Sequence, residues 1–162
     1  MKSPFDTTLL KLLDIDESSL LAPAINSRAN LFELTEQSYQ AAIFPENPSI
    51  LNHSQRAAVA VRICLLNDEM QLADHYKELV TNEDDQDIYD INELPKDLRL
   101  ASIMNHIDAN SRDPKSDPQS QIAKLKSSGL SDTEIVGIFA IIAFVSYQLR
   151  VAKGLRVMKE GL

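Results

Sequence analysis

Arg56–Tyr76, RAAVAVRICLLNDEMQLADHY, is the stretch whose reading decides the fold. Ala57, Val59, Ala60, Val61, Ile63, Cys64 and Leu65 put apolar side chains on most faces of one helix, which predicts a central position for it. Asn67-Asp68 breaks the run. Met70, Leu72, Tyr76, Leu79 and Val80 then give the apolar side of a second helix, which carries His75. Asn52 and Gln55 form an N-x-x-Q capping pattern ahead of the first helix, and Asp68 and Gln71 repeat it as D-x-x-Q at the start of the second.

Helical spacing extends outward in both directions. Leu9, Leu10, Leu12 and Leu13 predict a short helix after Asp6, which Pro23 then interrupts. Leu31, Leu34, Tyr39 and Ala42 place a helix over about 28–44, ended by FPENPS. The segment 82–93 holds six acids and reads as a solvated connector between two helical halves. It lacks the glycine that a calcium-binding EF-hand loop needs. A helix resumes near Lys96 with Leu98, Leu100, Ile103, Met104 and Ile107, and SRDPKSDP reads as a loop. Asp117 as N-cap and Pro118 at the first helical position start a short helix, and Gly129 ends it in the left-handed region. Ser131 and Glu134 give an S-x-x-E capping box for a last helix from about Asp132 to near Glu160. Its stretch Ile135–Val145 has no polar face and calls for cover on every side, from a central position or from a subunit interface. No strand alternation competes. The expectation is one all-α domain over 1–162, a bundle of about six to eight helices with a long apolar C-terminal helix.

Composition narrows the functions. The 162 residues carry a net charge of -8, with 44% hydrophobic and 25% charged residues. Such a charge repels a phosphate backbone, and no Lys/Arg run offsets it, so no nucleic-acid partner is expected. The eleven-residue apolar run falls short of the ~20 residues a bilayer span requires, so no membrane is expected. The opening MKSPFDTTLLKLLDIDESS does not read as a signal peptide, and a cytoplasmic protein is the expectation. One cysteine excludes an intramolecular disulfide and a Cys-x-x-Cys site. His53 and His106 are not ligand-spaced with His75, so neither a metal nor a cofactor is predicted.

The Arg56–Tyr76 block resembles the redox core of the alkylhydroperoxidase AhpD and carboxymuconolactone decarboxylase superfamily. The C-terminal GLSDTEIVGIFAIIAFVSYQLRVAKGLRVM is similar to the second half of its peroxidase-related members, with Tyr147, Gln148, Arg150, Gly154 and Leu155 matching their ending. The resemblance covers about 28–80 and 97–158. It implies an AhpD-like helical bundle that assembles as a dimer, trimer or hexamer. Thiol members carry Cys-x-x-Cys-x-x-x-His, with a Glu about three turns earlier. Aligned on His75, the cysteine positions fall on Asp68 and Gln71 and the Glu position on Arg56. The thiol pair is absent, and Arg56 reverses the charge of the residue it replaces.

The candidate catalytic residues are therefore His75, Cys64 and Arg56. Cys64 lies 11 residues before His75 and can meet it only if the chain folds back at Asn67-Asp68; in VRICLL its default is a core position. Asp68 and Gln71 read as capping residues. Tyr147, Gln148 and Arg150 either line a pocket or bond to other helices and subunits. Three functions follow: a peroxidase-related oxidoreductase with a degenerate thiol site; an acid/base enzyme of the decarboxylase type, in which His75 carries the proton and Arg56 or Arg150 holds the carboxylate of a small-molecule substrate; and a non-catalytic helical homo-oligomer acting as a binding module.

Overall fold

The structure, a computed structural model, describes residues 3–112 and 118–161. A 3-10 turn at Pro4–Asp6 leads into α1 (Thr8–Leu12), α2 (Ala22–Asn26) and α3 (Ala29–Ile43). α4 (His53–Leu66) and α5 (Met70–Glu78) form a hairpin. A 3-10 turn at Glu83–Asp85 runs into α6 (Gln86–Tyr89), and α7 (Leu98–Arg112), α8 (Pro118–Ser127) and α9 (Asp132–Glu160) follow. The chain is all-α among the described residues, with a long apolar C-terminal helix. Among the described residues the helices number nine, because α2 and α6 are short helices without their own periodic signal. Pro23 does not interrupt a helix but sits in the first turn of α2, where its missing N–H costs nothing. The expected Asp117 cap and most of the SRDPKSDP loop lie outside the described residues.

α4 is the axis of the fold. It packs against α3, α5, α6, α7 and α9, so no face is left for water, and Ala57–Cys64 is buried without a break. Its start is fixed by the expected capping box: Asn52 Oδ1 accepts from the Gln55 N–H at 2.9 Å, and Gln55 Oε1 accepts from the Asn52 N–H at 3.2 Å. α9 begins with the matching box on Ser131 and Glu134.

One charge sits inside this apolar helix. Arg62 is 1% exposed. Its Nε and Nη2 donate to the Asp108 carboxylate of α7 at 2.7 and 2.9 Å, a bidentate pair. Nη1 donates to the carbonyls of Ile88 (3.0 Å), Asp90 and Glu93. The guanidinium thereby gathers the 82–93 segment onto α4. That segment is not simply a solvated connector: it contains α6, Ile88 is buried in the core, and its carbonyls solvate Arg62 in place of water. A buried guanidinium is tolerated only when its donors are all occupied.

Among the described residues, three helices end in the same hydrogen-bonded motif, each followed by a residue in the left-handed region. Asp14 (φ 51), Asp68 (φ 58) and Gly129 (φ 84) follow the C-caps of α1, α4 and α8. In each, the next residue's N–H bonds back to the carbonyl five residues earlier: Ile15 to Leu10, Glu69 to Cys64, Leu130 to Leu125. This is the Schellman arrangement. Gly129 was expected there; the two aspartates use the tolerance of Asp for that conformation.

By length and composition α9 is long and apolar enough to cross a bilayer, yet half of its most apolar stretch is buried against the rest of the chain. Cover is incomplete: Val136 is 66% and Tyr147 44% exposed, with Ala140 and Ala143 exposed between them, so one stripe of the Ile135–Val145 region stays open. The far end of α9 is docked by charge. Arg156 grips the Glu69 carboxylate at 2.6 and 2.7 Å and Gln71 Oε1 at 2.8 Å, while Lys159 Nζ donates to the Leu13 and Asp14 carbonyls at 3.0 Å each.

Removing the carboxylate from the buried pair tests the role of Arg62. Asp108→Ala is expected to lower unfolding free energy by about 3 kcal/mol, because it strands a buried charge. Urea denaturation of wild type and variant measures this; a loss below ~1 kcal/mol would mark the pair as a surface contact in effect.

Candidate functional site around His75

The α4–α5 hairpin, α3 and α9 bring a cluster of polar rings together. His75 Nε2 lies 3.1 Å from the Tyr39 hydroxyl, and its ring meets Tyr76 edge-on at 5.3 Å between centroids. Tyr39 also packs against Phe44, Tyr76 and Phe144. The Tyr76 hydroxyl donates to Gln148 Oε1 at 2.6 Å in the interior. Glu36, on α3 with Tyr39, accepts from the backbone N–H and hydroxyl of Thr8.

Burial sets the protonation states. It pushes the His75 pKa below its usual value, against the smaller opposing pull of Glu78 and Glu36, so the imidazole is neutral at pH 7. Burial, aided by Glu36, raises the Tyr39 phenol to about 12, so its proton stays on. A neutral imidazole and a neutral phenol at hydrogen-bond distance form a pair that can pass one proton. Such a pair suits general acid/base work and lacks a nucleophile of its own.

Cys64 takes no part in that pair. The chain does fold back at Asn67-Asp68, but the thiol is 0% exposed in the core. Burial, with the Glu69 carboxylate adding to it, pushes the thiol pKa well above its usual range, so a thiolate is strongly disfavoured.

Arg56 is not brought to His75 by any bond. Its Nε donates to the Leu51 carbonyl at 2.9 Å and Nη1 to the Ala42 carbonyl at 2.8 Å, which caps the end of α3 within the same chain. The expected D-x-x-Q capping box does not form. The N-cap of α5 is Glu69, without a side-chain cap, because Asp68 is committed to the left-handed closure of α4. Gln71 instead joins Arg156 to the Leu12 carbonyl, to which its amide donates.

Gln148 points inward from α9, while Tyr147 and Arg150, one turn apart, lie on its exposed side. Gln148 is buried on Tyr76, and Tyr147 meets Thr35 Oγ1 at 3.0 Å. Arg150 is exposed and donates to the Ser146 carbonyl. They do not form one pocket. His53 bonds to the Pro45 carbonyl, and His106 lies edge-on to Phe139 at 4.8 Å. Among the described residues no group of three His, Cys, Asp or Glu is placed to hold a metal ion.

The contacts that sequence reading missed are long-range: Arg62–Asp108, Arg156–Glu69 and Tyr39–His75. Arg62 carried a usable signal, since an arginine inside a wholly apolar central helix demands a buried acceptor. Tyr39, 36 residues from His75 on another helix, carried none.

Two outcomes are expected. Asp68→Val should cost about 1–2 kcal/mol, the strain of a β-branched residue in the left-handed region. Asp68→Gly should stay within ~0.5 kcal/mol of wild type. Equal losses in the two variants would assign the effect to the carboxylate. The second outcome concerns pH. Both His75 and His106 are depressed by burial, so below pH ~6.5 the unfolded chain takes up protons that the native chain refuses. Their contribution to stability is whole above that pH and falls as pH drops through it. Urea midpoints at several pH values should fall less steeply for His75→Gln than for wild type.

No protein family matches the chain by sequence, and no curated protein matches it. Among solved structures, the fold is similar to that of an uncharacterized peroxidase-related protein from Silicibacter sp. TM1040, with a TM-score of 0.57 and 19% identity over 77% of this chain and 68% of that one. At that identity the likeness is one of fold.

Proposed function

We propose that this chain is a diverged, peroxidase-related protein of the AhpD-like and carboxymuconolactone decarboxylase class whose thiol site has become a structural joint. The chemistry it retains on this reading is acid/base, centred on His75. The observation that carries the proposal is the neutral His75–Tyr39 pair at 3.1 Å beside a cysteine sealed in the core. Thiol peroxidase turnover needs a thiolate to attack the peroxide and a second thiol to resolve the sulfenic acid. Here the aligned positions carry Asp68 and Gln71, neither of which can be oxidised and reduced in that cycle. His75 can relay a proton through Tyr39. Arg56 is engaged by the Leu51 and Ala42 carbonyls, so a substrate carboxylate would have to be held elsewhere.

The open stripe Val136–Ala140–Ala143–Tyr147 favours a second proposal, that the chain works as a homo-oligomer in which this stripe meets another subunit. Sedimentation velocity tests it, and a concentration-independent monomer overturns it.

The thiol question is decided by peroxide consumption with a dithiol reductant, comparing wild type with Cys64→Ser. We expect no turnover above the reductant's own rate with either protein, across hydrogen peroxide and alkyl hydroperoxides. Turnover in wild type that Cys64→Ser abolishes would restore the thiol mechanism.

A further inference from the structure

A groove of about 300 Å³ runs between α2, α3 and α9. Its walls are Leu21, Ile25, Phe32, Val151, Leu155 and Met158, and carbon dominates its surface. The floor belongs to the core, since Leu21, Ile25 and Leu155 are buried. The rim does not: Leu31 and Met158 are each 49% exposed. Met158 is an unbranched, adaptable side chain that can close over whatever enters. The volume lies at the small end of the range for small-molecule sites.

Polar groups sit on α3 at two places along the groove. Thr35 Oγ1 donates to the Leu31 carbonyl at 2.8 Å, so the 3.0 Å contact with Tyr147 is donated by the phenol. That hydroxyl pair is satisfied internally. Arg28, seven residues earlier, is different. Arg62, Arg99 and Arg156 each hold a carboxylate, and Arg56 holds two carbonyls. Arg28 is exposed at the groove's edge and, among the described residues, has no ion pair or side-chain hydrogen bond. The acids of α3 do not offset it from within the groove, because Glu33 and Glu36 line a separate cleft with Lys11. In a chain of net charge -8, the groove therefore presents one uncompensated cation beside apolar walls.

We propose that this groove binds a straight-chain aliphatic carboxylate, with the carboxylate on Arg28 and the alkyl chain along α3 toward Thr35 and Tyr147. A guanidinium takes a carboxylate in a bidentate grip, and the apolar walls take the methylenes. Seven residues of helix span about 10 Å. That length suits roughly eight carbons of extended chain, at ~1.3 Å each from ordinary C–C geometry.

Calorimetric titration with hexanoate, octanoate and 1-octanol, all below their aggregation limits, tests the proposal. Affinity should rise about fourfold for each added methylene, from the transfer free energy of one buried CH₂. Arg28→Gln should weaken octanoate by about tenfold or more while leaving octanol unchanged. Ala24→Phe fills the groove from its exposed rim and should abolish both without altering the helical circular dichroism. The absence of saturable heat with wild type overturns the proposal, as does an equal loss of octanoate and octanol on Arg28→Gln. Sedimentation velocity covers the competing occupant. A ligand-free dimer that octanoate leaves intact and Ala24→Phe dissociates would assign the groove to a second copy of the chain and overturn the carboxylate.

Discussion

The buried guanidinium of Arg62 is the constraint on which the arrangement of the other elements depends. A cation in the middle of the most enclosed helix has no access to water, so its donors must be met by protein. One carboxylate, Asp108, comes from α7, and three carbonyls come from the 82–93 segment. Satisfying them fixes the position of α7 against α4 and folds the acidic segment inward at Ile88. Arg62 thus ties the α7 half to the α4 half from inside, and apolar packing of α4 on α9 with the Arg156 and Lys159 contacts completes the join.

Local signals in the sequence were read well where the chemistry is local. The capping boxes at Asn52 and Ser131 and the left-handed Gly129 arise from residues within five positions of one another, and the span of α9 from its own unbroken periodicity. Asp68 shows where this fails. Asp serves both at an N-cap and in the left-handed region, and D-x-x-Q reads naturally as the first. The choice is made by the preceding helix, whose Cys64 carbonyl takes the Glu69 N–H and leaves Asp68 to turn the chain. The docking of Arg156 on Glu69 and of Tyr39 on His75 spans 87 and 36 residues, beyond any periodic pattern.

The start of α5 is a structural joint. Here Asp68, Glu69 and Gln71 are all engaged: one in the backbone turn, two in the grip of Arg156, with Gln71 also reaching α1. The turn has gained three tertiary attachments. His75, one and a half turns further on, stays clear of them and keeps its partner on α3.

The docking of Lys159 on the carbonyls of Leu13 and Asp14 joins residues 146 positions apart. A closure of that span carries a large entropic cost and forms only after intervening contacts have shortened the effective loop. α1 is a helix of barely more than one turn, too short to hold itself. Its carbonyl end gains its last partners only when α9 is seated. The folding order is therefore biased: the α4–α5 hairpin can form early from neighbouring residues, and α1 locks at the end, as the latch on a bundle already assembled.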